Sequence, residues 1–160
     1  MVMYGPIFRT SLYEEFETLI IKKKIGSNQD EYLKGKNVLI AEDQAINSMI
    51  VEHMMKNAGA SVWRAENGME AVDQFLGSSV GQFDLIMMDI MMPVMDGYAA
   101  AAKIRSSRRS DAKTIPVIAM TANAFEEDIQ RSKSYGMNAH LSKPLDPPVV
   151  KETILHLISH

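Results

Sequence analysis

Short apolar runs alternate with helical patterns from Lys36 to the end of the chain. The runs that predict buried strands span residues 38–41, 61–65, 84–89, 116–121 and 139–142. Between and after them, apolar residues recur at helical spacing, which predicts helices over residues 45–58, 68–76, 98–105, 125–135 and 149–158. Strands that alternate with helices in this way predict an α/β fold, in which a parallel sheet is covered by helices on both faces.

Polar residues cluster where the predicted strands end. Glu42 and Asp43 follow the first strand, Asp89 ends the third, Thr121 ends the fourth and Lys143 follows the fifth. In an open parallel sheet, ligands bind outside the carboxyl ends of the strands, so we expect these side chains to meet there. Neighbouring carboxylates repel one another unless a cation offsets their charge, and Mg²⁺ suits carboxylate and phosphate oxygens. A lysine and a hydroxyl beside them predict a phosphoryl-binding site.

Composition narrows the class of protein. The chain has 160 residues, 46% of them hydrophobic, and a formal net charge of −3, which argues against binding nucleic acid through bulk electrostatics. It has no cysteine, which excludes disulfides and thiolate metal sites. It shows neither a secretory signal nor an apolar run of roughly 18 residues that could span a bilayer. We therefore expect a cytoplasmic protein that contacts neither nucleic acid nor membrane through these residues.

The strand-end residues, taken with their neighbours, resemble the receiver domain of two-component response regulators. The motifs are the acidic pair Glu42-Asp43, Asp89 followed by Ile-Met-Met-Pro-Val-Met-Asp-Gly, Thr121-Ala122, and Lys143-Pro144. The resemblance covers residues 36–160. It implies a flavodoxin-like, doubly wound, five-stranded parallel sheet of order 2-1-3-4-5 with five helices.

The resemblance also implies a role for the acidic residues and for the residue that follows them. Asp89 corresponds to the aspartate that accepts the phosphoryl group. Asp43 and Asp89 correspond to direct ligands of Mg²⁺, and Glu42 to an acid that reaches the metal through water. Met91 stands where the family uses a backbone carbonyl as a metal ligand, so its side chain is free to vary.

Four further residues correspond to phosphoryl contacts and to the conformational switch. Thr121 matches the hydroxyl that turns towards the phosphoryl group, Ala122 offers a backbone N–H, and Lys143 matches the lysine that pairs with the phosphoryl group. His140 stands at the position of the switch aromatic. Taken alone, Thr121 is also consistent with a second role, as the N-cap of the next helix.

These roles imply a domain that takes a phosphoryl group from phosphohistidine, on a histidine kinase or a histidine phosphotransfer domain, and then switches conformation. Such a domain catalyses its own aspartyl phosphorylation and dephosphorylation. One alternative is a pseudo-receiver that binds proteins without phosphorylation. Another is a phosphatase or flavodoxin-like domain on the same sheet, although residue 91 is methionine where an aspartyl-phosphate phosphatase has a second aspartate.

The segment before Lys36 lies outside the receiver pattern. We predict a helical extension over residues 1–25, a linker over 26–35 and the receiver domain over 36–160. Residues 5–12, Gly-Pro-Ile-Phe-Arg-Thr-Ser-Leu, resemble the end of a receiver that precedes another in tandem hybrid histidine kinases. Our hypothesis is that the chain is part of such a kinase, with the extension as the last helix of an upstream receiver. The alternatives are an extension of a stand-alone regulator and a dimerising helix, and a homodimer stays open.

Overall fold

The computed structural model describes residues 31–122 and 125–158. Within them, the strands are β1 (Asn37–Ala41), β2 (Ser61–Ala65), β3 (Leu85–Asp89), β4 (Val117–Thr121) and β5 (Ala139–Ser142). The helices are α1 (Ala45–Asn57), α2 (Gly68–Gly77), α3 (Gly97–Ser106), α4 (Glu126–Ser134) and α5 (Pro147–Ile158). All strand pairs are parallel and their order is β2-β1-β3-β4-β5. The predicted fold is confirmed.

The depth of each strand explains its composition. β3 and β4 are buried at every position, and β1 at every position after Asn37. A strand with helices on both of its faces has no solvated side, so it reads as a continuous apolar run. The edge strands β2 and β5 are partly exposed, which accounts for Arg64 and His140 within them.

Two apolar cores lie on opposite faces of the sheet, because successive side chains of a strand point to opposite faces. In β3, Ile86 and Met88 join the core that contains Phe75. Leu85 and Met87 join the other core, which contains residues of α1 and α5. The central strands are therefore held from both sides, which restrains the loops at their carboxyl ends.

Side-chain caps begin two of the helices. Asn67 accepts a hydrogen bond from the Glu70 N–H at 2.8 Å, and Asp96 accepts one from the Ala99 N–H at 2.8 Å. The N-cap of α4 is Phe125, so Thr121 does not cap that helix. Of the helices described, none has the length and apolar character needed to cross a membrane.

The predicted extension, residues 1–25, lies outside the described residues, as do residues 26–30 of the predicted linker. The described end of that linker packs against the domain. Leu33 is fully buried in the core of α1 and α5, and its N–H donates to the Ala58 carbonyl at 2.7 Å. Two apolar residues, Tyr32 and Leu33, within a polar segment produce no periodicity, so the sequence pattern gives no indication of this contact.

Arg109 connects the loop after α2 to the loop after α3, at the amino ends of the strands. Its guanidinium donates to carbonyls at the end of α2, including those of Phe75 and of Ser78 at 2.8 Å. It also forms two hydrogen bonds with the Asp111 carboxylate, at 3.0 and 2.8 Å, and lies 4.4 Å from the centre of the Phe75 ring. The hydrogen bonds from Arg109 hold the pKa of Asp111 below its usual value.

We expect Arg109→Ala to lower the free energy of unfolding by about 2–4 kcal/mol, because it leaves buried carbonyls and a carboxylate without their donor. Arg108→Ala is the control. Arg108 is exposed, so its loss should change the free energy by less than about 0.5 kcal/mol. Urea denaturation followed by circular dichroism measures both variants. Equal stabilities for the two would contradict a stabilising role for Arg109.

Candidate functional site

The carboxyl ends of the strands bring the predicted acidic residues together. Glu42 and Asp43 follow β1, and Asp89 ends β3 beside it. Glu42, Asp43 and Asp89 each offer a carboxylate oxygen, and these oxygens all lie within 4.8 Å of one another. Parallel pairing of β1 and β3 produces this proximity, since it brings both carboxyl ends to one edge of the sheet.

Lys143 crosses this cluster from β5. Its ammonium donates to Glu42 Oε2 at 2.8 Å and lies 3.1 Å from Asp89 Oδ2. Its backbone N–H donates to the Thr121 carbonyl at 2.8 Å, which extends the pairing of β4 and β5 by one residue. The lysine side chain is 22% exposed. Its charge thus lies at the mouth of the cluster, within reach of an incoming anion.

The two residues of the acidic pair occupy different environments. Glu42 is only 2% exposed, whereas Asp43 is exposed to solvent. The Glu42 carboxylate accepts from the Gln44 N–H at 3.1 Å through Oε1, and from Lys143 through Oε2. Glu42 is therefore held in place by two donors, while the Asp43 carboxylate faces solvent and can bind a ligand without losing burial.

Protonation at the cluster follows from burial and from the surplus of negative charge. Burial raises the pKa of Glu42 to about 7, the negative charge of Asp89 adds to that rise, and the hydrogen bond from Lys143 opposes it. Burial alone would lower the pKa of Lys143, but its hydrogen bond to Glu42 and the charge of Asp89 outweigh burial and raise it. Lys143 is therefore a stable positive charge that two carboxylates share.

The other predicted residues lie at different distances from the edge where Asp89 ends β3. The Met91 N–H donates to Asp89 Oδ1 at 3.3 Å, while the Met91 side chain is 77% exposed. Thr121 is buried at the end of β4, and Ala122 beyond it is exposed. His140 lies opposite Ala119, two residues before the end of β5, and is therefore set back from the edge that carries the acids.

The loop after Asp89 is built around a close backbone contact. The Gly97 N–H donates to the Ile90 carbonyl at 2.9 Å, and a Cβ on Gly97 would lie 2.3 Å from the Asp89 carbonyl oxygen. Within the loop, the Met95 N–H donates to the Pro93 carbonyl at 2.7 Å, which closes a three-residue turn on Val94 at a φ of +68°. Only glycine fits at position 97.

The contributions of two residues to the site were not predicted from the sequence. Gln44 holds Glu42 through its backbone N–H, and every residue except proline has such a donor, so residue type does not reveal it. Gly97 is the last residue of the motif that follows Asp89, but its close contact with the end of β3 was not predicted, and Asp96 beside it caps α3. The signal that could have marked Gly97 is a glycine within one short loop of an aspartate that ends a buried strand.

The chemistry of the cluster fits a hard divalent cation. All three candidate ligands are carboxylates, and Asp43 and Asp89 add oxygens that such a cation prefers. Lys143 partly neutralises the cluster at present, and an ammonium can pair equally with a phosphoryl oxygen. The arrangement can thus position a carboxylate nucleophile beside groups that offset phosphoryl charge.

Comparison with known proteins gives one consistent result. The family model described as the response regulator receiver domain matches residues 38–155. A probable histidine kinase of rice, Oryza sativa, is 34% identical over 96% of this chain. A hybrid signal transduction histidine kinase of Dictyostelium discoideum is 36% identical over 76% of it. The chain spans 17% of the rice protein and 7% of the Dictyostelium protein.

Solved structures agree with this result. The receiver domain of a sensor histidine kinase from Pseudomonas aeruginosa is similar with a TM-score of 0.70 and 31% identity, covering 79% of this chain and 99% of that one. It was crystallised with a magnesium ion coordinated in its active-site cleft. A chemotaxis response regulator of Vibrio cholerae is similar with a TM-score of 0.69 and 29% identity, covering 76% and 98%.

Proposed function

The chain belongs to the response regulator receiver domain family of two-component signalling, and on this basis we propose that Asp89 accepts a phosphoryl group from phosphohistidine, with Mg²⁺ as cofactor. The observation that carries the proposal is the contact of Lys143 with both Asp89 and Glu42. This contact joins a buried carboxylate nucleophile to a cation that can bind phosphoryl oxygens. A domain that binds proteins without phosphorylation does not need a half-buried lysine over two carboxylates.

In the proposed reaction, a carboxylate oxygen of Asp89 attacks the phosphorus of the phosphohistidine. The new P–O bond forms as the P–N bond breaks, and the electron pair of the broken P–N bond returns to the imidazole nitrogen. Lys143 then moves its contact from the carboxylates to a phosphoryl oxygen, where it offsets charge. Thr121, at the neighbouring strand end, supplies a hydroxyl to the phosphoryl group, and this rearrangement changes the surface around it.

Mg²⁺ would be held by Asp43, Asp89 and the backbone carbonyl of Met91, with Glu42 in contact through water. When bound, it supplies positive charge that offsets the carboxylates and the phosphoryl oxygens. The exposed carboxylate of Asp43 and the exposed loop at Met91 support this assignment. Ala122 offers its backbone N–H to the phosphoryl group, and His140 is proposed as the switch residue.

We place the domain in a cytoplasmic phosphorelay, as a part of a hybrid histidine kinase. The support is its similarity to histidine kinases, of which it spans a small share. Its phosphoryl donor would then be the histidine of a kinase or of a phosphotransfer domain. The domain boundaries at residues 25 and 35 belong to the same proposal.

The test of the proposed function is phosphorylation by a small donor. The protein is incubated with acetyl phosphate and Mg²⁺, and intact mass is measured at short intervals. We expect the mass to increase by one phosphoryl group, and chelation of Mg²⁺ to prevent it. The second measurement is the amide NMR spectrum in the presence of beryllofluoride and Mg²⁺. If no phosphorylated species forms and this spectrum is also unchanged, the pseudo-receiver alternative is correct.

The roles of Lys143 and of the carboxylates can be separated with Lys143→Met. We expect phosphorylation by acetyl phosphate to slow by roughly 10²-fold, because the variant loses a charge that binds the phosphoryl group. Mg²⁺ affinity, measured by calorimetry, should stay equal or increase, because a competing cation is gone. Lys103→Met, on an exposed position of α3, should leave both measurements unchanged. A parallel loss of Mg²⁺ binding would contradict this division of roles.

A further inference from the structure

A second charged feature lies at the opposite edge of the sheet. The segment from Lys103 to Lys113 forms the end of α3 and part of the loop that leads to β4, so it lies at the amino ends of the strands. Its cations are Lys103, Arg105, Arg108, Arg109 and Lys113. With Asp111 as the one carboxylate among these residues, the segment has a formal charge of +4, in a chain whose net charge is −3. Four of the five cations, all except Lys103, line an open basin of about 470 Å³.

In the part of the chain that the structure describes, most of this positive charge has no carboxylate beside it. Asp111 is committed to Arg109, with a contact of 2.8 Å between Nη2 and Oδ2. Within residues 31–122 and 125–158, Arg105 donates only to neutral oxygens, those of Gly136 at 3.0 Å, Ala112 at 2.9 Å and the Asn138 side chain at 2.8 Å. Because these partners carry no charge, Arg105 remains an uncompensated cation in a half-buried position, and burial lowers its pKa.

The basin also contains hydrogen-bond donors that are unused among the described residues. Arg105 uses three of the five N–H donors of a guanidinium, and its side chain lines the basin. Arg108 and Lys113 are exposed at its rim, without an ion pair among the described residues. The Ser107 hydroxyl in the same loop is buried and has no hydrogen-bond partner among the described residues. Guanidinium and ammonium groups together match the oxygens of a phosphate.

We propose that this basin is a second anion site, which binds a small phosphate-bearing ligand through Arg105, Arg108 and Lys113. The cations line a concave surface, which suits a compact ligand better than an extended polyanion. Arg109 does not take part, because the α2 carbonyls and Asp111 already occupy its donors. The site is separate from the acidic cluster, which lies at the carboxyl ends of the strands. The proposal does not rest on phosphorylation of Asp89.

The test uses the whole chain and inorganic pyrophosphate as the probe. The protein, labelled with ¹⁵N and free of Mg²⁺, is titrated with pyrophosphate at constant ionic strength. We expect saturable shifts of amides in residues 105–113. The double variant Arg108→Ala/Lys113→Ala should weaken binding by about tenfold or more, since it removes two charged partners. Both side chains are exposed, so the variant should fold normally, which thermal denaturation checks.

Two controls identify the source of any signal. Lys34→Ala/Lys36→Ala removes two exposed cations near the start of β1 and should leave pyrophosphate affinity unchanged. Lys143 at the other edge of the sheet can itself bind a phosphate, so the affinity is taken only from the amides of residues 105–113. The proposal is overturned if these amides do not shift, if only amides around Lys143 shift, or if both double variants weaken binding equally. Binding of heparin but not of pyrophosphate would overturn it as well, in favour of an extended polyanion.

Discussion

Replacement of Asp89 by asparagine is expected to abolish phosphorylation by acetyl phosphate, with a fall in rate of roughly 10³-fold or more. The amide has nearly the same shape as the carboxylate but lacks its nucleophilic charge. Asp89 is buried at the end of β3 and its carboxylate lies 3.1 Å from the Lys143 ammonium, the cation that can bind phosphoryl oxygens. Intact mass spectrometry in the presence of Mg²⁺ measures the result.

Loss of folding would produce the same result for a trivial reason, and stability distinguishes the two. Asparagine removes one of three carboxylates that repel one another, so the denaturation midpoint of Asp89→Asn should equal or exceed that of the wild type. Asp96→Asn is the matched control, because it makes the same change in the same loop. Asparagine caps helices as well as aspartate, so this control should phosphorylate normally. Phosphorylation of Asp89→Asn at the wild-type rate would refute the assignment of the acceptor.

Replacement of Gly97 by alanine is expected to lower the free energy of unfolding by about 3 kcal/mol or more. The added Cβ would lie 2.3 Å from the Asp89 carbonyl oxygen and 2.9 Å from the Ile90 Cα. Both are backbone atoms, and they belong to a strand end that is packed on both faces. Displacing either of them therefore costs considerable energy. Any shift that relieves the contact displaces Asp89, and phosphorylation should therefore slow as well.

Gly77→Ala is the matched control for this prediction. Gly77 ends α2, and a Cβ there meets no atom within 4 Å. Alanine is the better helix former, so the change should be neutral or stabilise by up to about 1 kcal/mol. Urea denaturation measures both variants. If Gly97→Ala were as stable as Gly77→Ala, the close contact between α3 and the end of β3 would not be a constraint on the site.

Much of the architecture could be predicted from local patterns. A strand covered on both faces must be apolar throughout, so the central strands are visible as continuous runs, and helices show the spacing of their buried side. Parallel strands place their carboxyl ends at one edge, which is why polar residues after separate strands could be assigned to one site. The acidic cluster and Lys143 were predicted in this way, and the structure does bring them together.

Contacts between distant segments could not be predicted in the same way. Arg108 and Arg109 are neighbours of one residue type, yet one is exposed and the other is enclosed by the end of α2. Leu33 was assigned to a linker and is fully buried. In each case, the environment of a side chain depends on a second segment tens of residues away, which local periodicity does not encode.

The sequence by itself determined the order of strands and helices, the two-faced burial of the central sheet and the polar residues that gather at the strand ends. Only the tertiary structure decided how those residues divide their roles. Glu42 and Asp43 are adjacent acids, but packing buries the first against Lys143 and leaves the second in solvent. The physical reason is that residue type determines which interactions a side chain can form, whereas the fold determines which partner is within reach and how much water remains around it.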